Sequence, residues 1–250
     1  MKVGRNIAAF LLTIGLPGAS ALADVITVQN NSFETPTVTG LGNPFVTSWS
    51  TPGPVSTEFP PGSGNFVNTN CGNFINTPVG AQDHIDNVDG NQAAFVSALS
   101  GNEFNQTLGV NFEAGKSYTL TVGIGHNYGG GNPAFQPDPT AKMTLRIFYT
   151  DAQSVRHYLA STDVINSAAT GLSATHLLDF SATTALLAAN NAAVGSPLSI
   201  SMISASPVAN SGGFFDLDNV RVSSALPEPT SLSLVVIGTG ALLARRRRMA

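Results

Sequence analysis

The sequence predicts an all-β fold, an antiparallel β-sandwich. Three observations carry this: two-residue apolar periodicity recurs along the chain, turn-forming residues separate the periodic runs, and no long helical pattern intervenes. In order, the candidate strands are "VITV" (25–28), "AAFVS" (93–97), "FNQTLGV" (104–110), "SYTLTVGIGH" (117–126), "MTLRIFY" (143–149), "HYLAS" (157–161), "THLLDFSA" (175–182), "LSISMIS" (198–204) and "GFFDLDNVRV" (213–222). The fourth sets Tyr118, Leu120, Val122 and Ile124 on one face against Thr119, Thr121 and Gly123, the signature of a half-buried strand. The fifth repeats it with Met143, Leu145, Ile147 and Tyr149 opposite Thr144, Arg146 and Phe148. "EAGK", "GGGNP", "TDAQ", "VGSP" and "ANSGG" supply the Gly, Asn, Asp and Pro that tight connections require.

Two stretches depart from the pattern. "TALLAANNAAV" (184–194) is rich in alanine, which suits a short helix, while its paired asparagines suit a cap or loop equally well. Residues 35–90 are dense in Gly, Pro, Asn and Thr yet carry Phe45, Trp49, Phe59, Phe66 and Phe74. They are too aromatic for a linker and too punctuated for long strands, so ordered loops across one end of the sandwich are expected.

The ends differ from the body. Lys2 and Arg5, the apolar run Ile7 to Leu16, Pro17-Gly18 and the small residues Ala21 and Ala23 form a signal-peptide pattern, which predicts removal of residues 1–23 by signal peptidase and a mature start at Asp24. At the other end, residues 227–250 carry Pro227, Glu228 and Pro229, an apolar run from Ser231 to Ala244, and Arg245, Arg246, Arg247 and Arg248. A run of 14 residues is short against the roughly 20 that cross a bilayer. Between the ends, residues 24–226 hold fourteen Asp or Glu and five Lys or Arg, a formal net charge of −9. So acidic a body repels nucleic acid and anionic lipid, which argues against both as partners and modestly for cations or neutral ligands. Cys71 is the single cysteine, so no internal disulfide forms; burial as a small hydrophobe is the expectation.

Local motifs exclude more chemistry than they support. "DHIDNVDGN" (83–91) approaches a calcium loop, but the spacing that ends at Gly90 puts Ile85 at the first ligand position, so the EF-hand reading fails. "HNYGGGNP" (126–133) lacks the lysine and helix of a phosphate cradle. There is no G-x-S-x-G elbow and no H-E-x-x-H, and His84, His126, His157 and His176 are widely spaced. In "FFDLDNVRV", Phe215 and Leu217 share one parity and Val220 and Val222 the other, so the alternation changes phase at Asp218-Asn219. That predicts a bulge, with Asp218 either satisfying backbone donors or binding a cation.

The chain resembles the PEP-CTERM exported proteins of Gram-negative bacteria over nearly its whole length: in "VQNNSFETP", "DGNQAAFV", "FNQTLGVNFEAGKSYTLTVGIG" and "FDLDNVRV" of the body, and in the C-terminal "LPEP", apolar run and "RRRR" of the sorting tail. The resemblance implies processing at Pro-Glu-Pro by exosortase, with the tail held transiently in the inner membrane. The four arginines stop translocation by the positive-inside rule and leave the body on the far side. The body also resembles galactose-binding-like jelly rolls of carbohydrate-binding modules, in which the first segment and the last strand share a structural calcium. Here the matching positions are Glu34 and Asp218. The resulting expectation is an exported, non-enzymatic protein of the cell surface or extracellular matrix, associated with polysaccharide or biofilm. The alternative is a glycan-binding module with Trp49 or Tyr128 as exposed aromatic platform. Third is a β-sandwich hydrolase.

Overall fold

The computed structural model describes residues 23–39, 44–53, 57–58, 66–67, 70–127, 139–206 and 213–226, all within one compact unit, Ala23–Pro227. The expectations for the signal segment up to residue 22, for Tyr128, and for the sorting tail from Pro227 onward lie outside the described residues. Among the described residues there is no helix, and the architecture is the antiparallel sandwich that the periodicity predicts.

Among the described residues, twelve strands run in chain order: β1 (Asp24–Ile26), β2 (Thr57–Glu58), β3 (Phe66–Val67), β4 (Cys71–Ile75), β5 (Gln92–Ser97), β6 (Glu103–Asn111), β7 (Ser117–Asn127), β8 (Lys142–Thr150), β9 (Arg156–Ile165), β10 (Leu178–Thr183), β11 (Pro197–Ser204) and β12 (Phe214–Ala225). The first sheet has the order β10-β7-β12-β5-β4, with β1 pairing the far half of β12; the second has the order β6-β11-β8-β9. Strands β2 and β3 form a separate small pair.

The alternating residues meet where the pleat directs them. Tyr118, Leu120, Val122 and Ile124 of β7 pack with Met143, Leu145 and Ile147 of β8, Leu198, Ile200 and Met202 of β11, and Phe215 and Leu217 of β12 in one buried core. Phe33, Trp49 and Phe104 close one part of it; the Phe33 and Trp49 rings stack with centroids 5.3 Å apart, and Trp49 meets Phe104 edge-on at 6.0 Å.

Two expectations are corrected. Residues 35–90 are not all loop, because "CGNFI" (71–75) forms the edge strand β4, in register with β5 from Cys71↔Val96 to Ile75↔Gln92. Its propensity is modest, and the side-chain amides of Asn73 and Gln92 hold it by donating to the Phe33 and Pro36 carbonyls. Trp49 is buried, with its indole N–H donating to the Asn30 carbonyl at 3.0 Å, so it is a core anchor and offers no solvent-facing platform. Residues 184–194 form no helix: turns occupy 189–190 and 192–195, Asn191 Oδ1 accepting from the Ala193 N–H while Leu187 plugs the core.

Candidate functional site

The outer face of the first sheet, turned away from the main core, gathers the chemistry. Phe215 and Leu217 point inward, so Phe214, Asp216 and Asp218 point outward. Asp216 is directly opposite Phe95 of β5 on one side and Gly125 of β7 on the other, and only 3% of it is exposed. The Phe95 ring meets Phe214 edge-on at 5.7 Å and Phe74 at 6.5 Å, so a carboxyl lies beside an aromatic wall. This face has its own small core, Phe74, Ile85, Ala93 and Leu177, with Val88 and Phe95 packed against it.

Gly125 makes room for the cover. A Cβ there would lie 2.9 Å from the Ser173 carbonyl oxygen and 3.0 Å from Leu177 Cδ2, so the strand accepts the 173–177 segment only because this residue is glycine. The "DHIDNVDGN" loop joins the same cover: the Asp86 N–H donates to Thr175 O and the Leu177 N–H to Asp86 O.

Beside Asp216, the last strand bulges. Its register with β7 shifts between Asp218 and Arg221, and Asn219 takes a left-handed φ of 51°. The freed Val220 N–H donates to Asn31 O at 2.9 Å, which ties the first segment to the last strand. Glu34 then caps the start of β5, its Oε1 accepting from the Asn91 and Gln92 N–H groups at 2.7 Å each. Asp218 is fully buried; Oδ2 accepts from the Asp89 N–H, and Oδ1 has no partner. Burial pushes the Asp218 carboxyl up to about 8, and the nearby charges of Asp89 and Glu34 push the same way against the hydrogen bonds from Asp89 and Asn219. A pocket of about 600 Å³ opens here, lined by Asn87, Asp89, Gly123, Leu177, Asp179 and Asn219 among others.

The orphaned Oδ1 and the convergent acidic charge suit a hard cation. Among the described residues no three His, Cys, Asp or Glu side chains form a ready cluster, so carbonyl oxygens and water would complete any such shell. The histidines stay apart from this chemistry. His126 packs against Phe215 on the inner side, His157 pairs with Asp151 at 2.7 Å, and His84 lies 3.6 Å from Asp86.

The profile of the HpiC1-like family, described as HpiC1 cyclase, matches residues 24–223. The chain belongs to the HpiC1-like cyclase family. Solved structures agree on the fold. A cyclase from Fischerella sp. TAU in complex with 4-(1H-indol-3-yl)butan-2-one aligns at a TM-score of 0.59 and 22% identity, over 81% of this chain and 98% of that one. The Stig cyclase Fisc from the same organism, in complex with (3Z)-3-(1-methyl-2-pyrrolidinylidene)-3H-indole, aligns at 0.56 and 22%, over 82% and 99%. Among curated proteins compared by sequence, none matches. Membership in a cyclase family overturns the expectation of a non-enzymatic protein.

Sequence reasoning singled out Asp218 and Glu34, and the structure brings both to one neighbourhood with Asp89. It passed over Asp216, Phe95 and Phe214. The signal was present in the parity of "FFDLD", where both aspartates oppose the apolar residues and so share a face.

Proposed function

We propose that residues 24–226 form an exported cyclase whose acid–base residue is Asp216, working on an apolar, aromatic-bearing substrate held against Phe95 and Phe214. One observation carries this reading: a carboxyl 3% exposed lies beside an edge-to-face phenylalanine pair, in a chain of the HpiC1-like cyclase family. Protonation of a substrate double bond by Asp216 leaves a cation. An internal nucleophile closes the ring with its electron pair, and the proton lost from the adduct returns to the Asp216 carboxylate. The reaction is therefore an isomerisation, with atoms and electrons conserved. The faces of Phe95 and Phe214 stabilise developing positive charge by about 0.5–2 kcal/mol each. The cover from Ile85, Val88 and Leu177 limits water that would intercept the cation.

Glu34 and Asp218, with Asp89 close by, are the residues that would hold one structural calcium ion. Such an ion supplies positive charge to the buried Asp218 carboxylate and its acidic neighbours. Asp218 and Glu34 would then fix the first segment against the last strand, and with it the part of β12 that carries Asp216.

The signal pattern at residues 1–23 and the tail at 227–250 support export and exosortase processing, with a transient stay in the inner membrane and release to the cell surface or polysaccharide matrix. The cyclase would then meet its substrate outside the inner membrane.

Turnover of a cyclisable alkenyl indole by residues 24–226 tests the chemical role. Asp216→Asn should slow it by about 10²–10⁴-fold with an unchanged circular dichroism spectrum. Equal rates in a folded variant would remove Asp216 from the mechanism.

A further inference from the structure

The outer face of the second sheet carries a separate feature. Directly opposed residues share a face, so Asn105 of β6, Ser201 of β11, Arg146 of β8 and Ser161 of β9 form one cross-strand row. The neighbouring rows are internally satisfied: Thr107 Oγ1 bonds Ser199 Oγ at 2.9 Å, and Thr144 Oγ1 donates to Asp163 Oδ1 at 2.7 Å. The middle row is not. Ser201 is 0% exposed and its Oγ has no partner, and the buried Nδ2 of Asn105 has none either. Buried donors without acceptors burden folding and persist where something else satisfies them.

Charge points the same way. The body holds five Lys or Arg, and three of them, Lys142, Arg146 and Arg156, stand on this face. Lys142 pairs with Asp163, Arg156 with Glu103, Lys116 with Glu113 and Arg221 with Asp179. Among the described residues, Arg146 is the body cation with no carboxylate in ion-pair contact. Its guanidinium instead lies 4.6 Å from the ring centre of Tyr158 and donates to the Tyr158 hydroxyl at 3.4 Å, and the row reaches solvent at its Ser161 end.

We propose that the Asn105–Ser201–Arg146 row is a carboxylate-binding site, distinct from the Asp216 face and independent of the cyclase reading. A carboxylate offers two oxygens to the planar guanidinium fork and further lone pairs to a hydroxyl and an amide donor, the three groups this row presents. The carboxylate could belong to a uronic-acid residue of an acidic polysaccharide or to a small organic acid.

Isothermal titration of residues 24–226 with trigalacturonate, free galacturonate and neutral galactotriose decides the matter. Saturable binding of trigalacturonate alone supports the site with a polysaccharide source; comparable binding of free galacturonate supports it with a small-acid source. In either case Arg146→Gln should weaken binding by about tenfold or more. Ser201→Ala should weaken binding while leaving the ligand-free melting temperature unchanged or raised, because it deletes an unsatisfied group rather than a bond. A row filled by water alone binds neither acid and overturns the proposal. So does binding that Arg146→Gln leaves intact, or binding that galactotriose matches.

Discussion

The Asp89 backbone N–H donates to Asp218 Oδ2 across 129 positions of the chain, so the loop that failed as an EF-hand in sequence is a structural partner of the bulge in the last strand. Its consequence is a stability that depends on pH. The folded-state pKa of Asp218 is raised from 3.8 to about 8, so the folded protein holds that proton over a range where the unfolded chain has released it. Stability from this group is therefore fully present below about pH 4 and is lost as pH rises through about 8. Calcium-free protein should melt at progressively lower temperature between those limits, on account of this group, and Asp218→Asn should flatten the slope. Added calcium should flatten it as well and raise the melting temperature. At a hundredfold excess over Kd the gain is about 2.7 kcal/mol, on the order of 5–11 °C for a domain of this size. A melting curve indifferent to both chelator and calcium would leave Asp218 as a bulge carboxyl alone.

Gly90 couples the same loop to Glu34. Its φ is +99°, and a Cβ would fall within 2.4 Å of Glu34 Oε1, against a side chain already fixed by two backbone donors. Gly90→Ala should destabilise the protein by about 1–3 kcal/mol, a fall of roughly 2–12 °C in melting temperature. Thermal unfolding followed by circular dichroism checks this, with Gly80→Ala as control: Gly80 has a similar φ of +94° but nothing within 4 Å of its Cβ. Equal losses would assign the effect to backbone strain rather than to displacement of Glu34.

Cys71 is 0% exposed, and burial pushes its thiol up to about 12. A thiolate is the reactive species, so the native protein should resist iodoacetamide at pH 8 over hours and be labelled fully only after unfolding. Mass spectrometry reads the outcome directly, and rapid native labelling would contradict this burial.

Legibility followed physical range. The nine periodic runs all reappear in strands, because period-two alternation is a local property that the two-sheet core only has to accept. The phase change at Asp218-Asn219 was equally readable, since an extra residue must shift the parity of Val220 and Val222. Strand β4 was hidden because its pairing depends on Asn73 and Gln92 reaching the Phe33 and Pro36 carbonyls across tens of positions, which no periodicity records. Trp49 misled for a related reason: its burial follows from Phe33, at a left-handed φ of 55°, turning its ring into the core to meet it. The Asp216 face remained illegible because Phe95 and Phe214 become neighbours only through β5–β12 pairing.

Intact mass of material recovered outside the cell should correspond to a start at Asp24 and the absence of Arg245 to Arg248. Alanines at Pro227, Glu228 and Pro229 should keep the protein in the inner-membrane fraction, and secreted protein that retains the arginines would refute exosortase processing.

The proposed cyclase role requires the Asp216 face of the first sheet to receive an aromatic-bearing ligand. The most direct measurement is a titration of ¹⁵N-labelled residues 24–226 with 4-(1H-indol-3-yl)butan-2-one, following backbone amide shifts. Saturable shifts should concentrate at Ala93 to Ser97 and Phe214 to Leu217, and Phe95→Ala should weaken the apparent affinity by about tenfold through loss of the aromatic contact. Shifts confined to other surfaces, or an affinity that Phe95→Ala leaves unchanged, would contradict the assignment of this face.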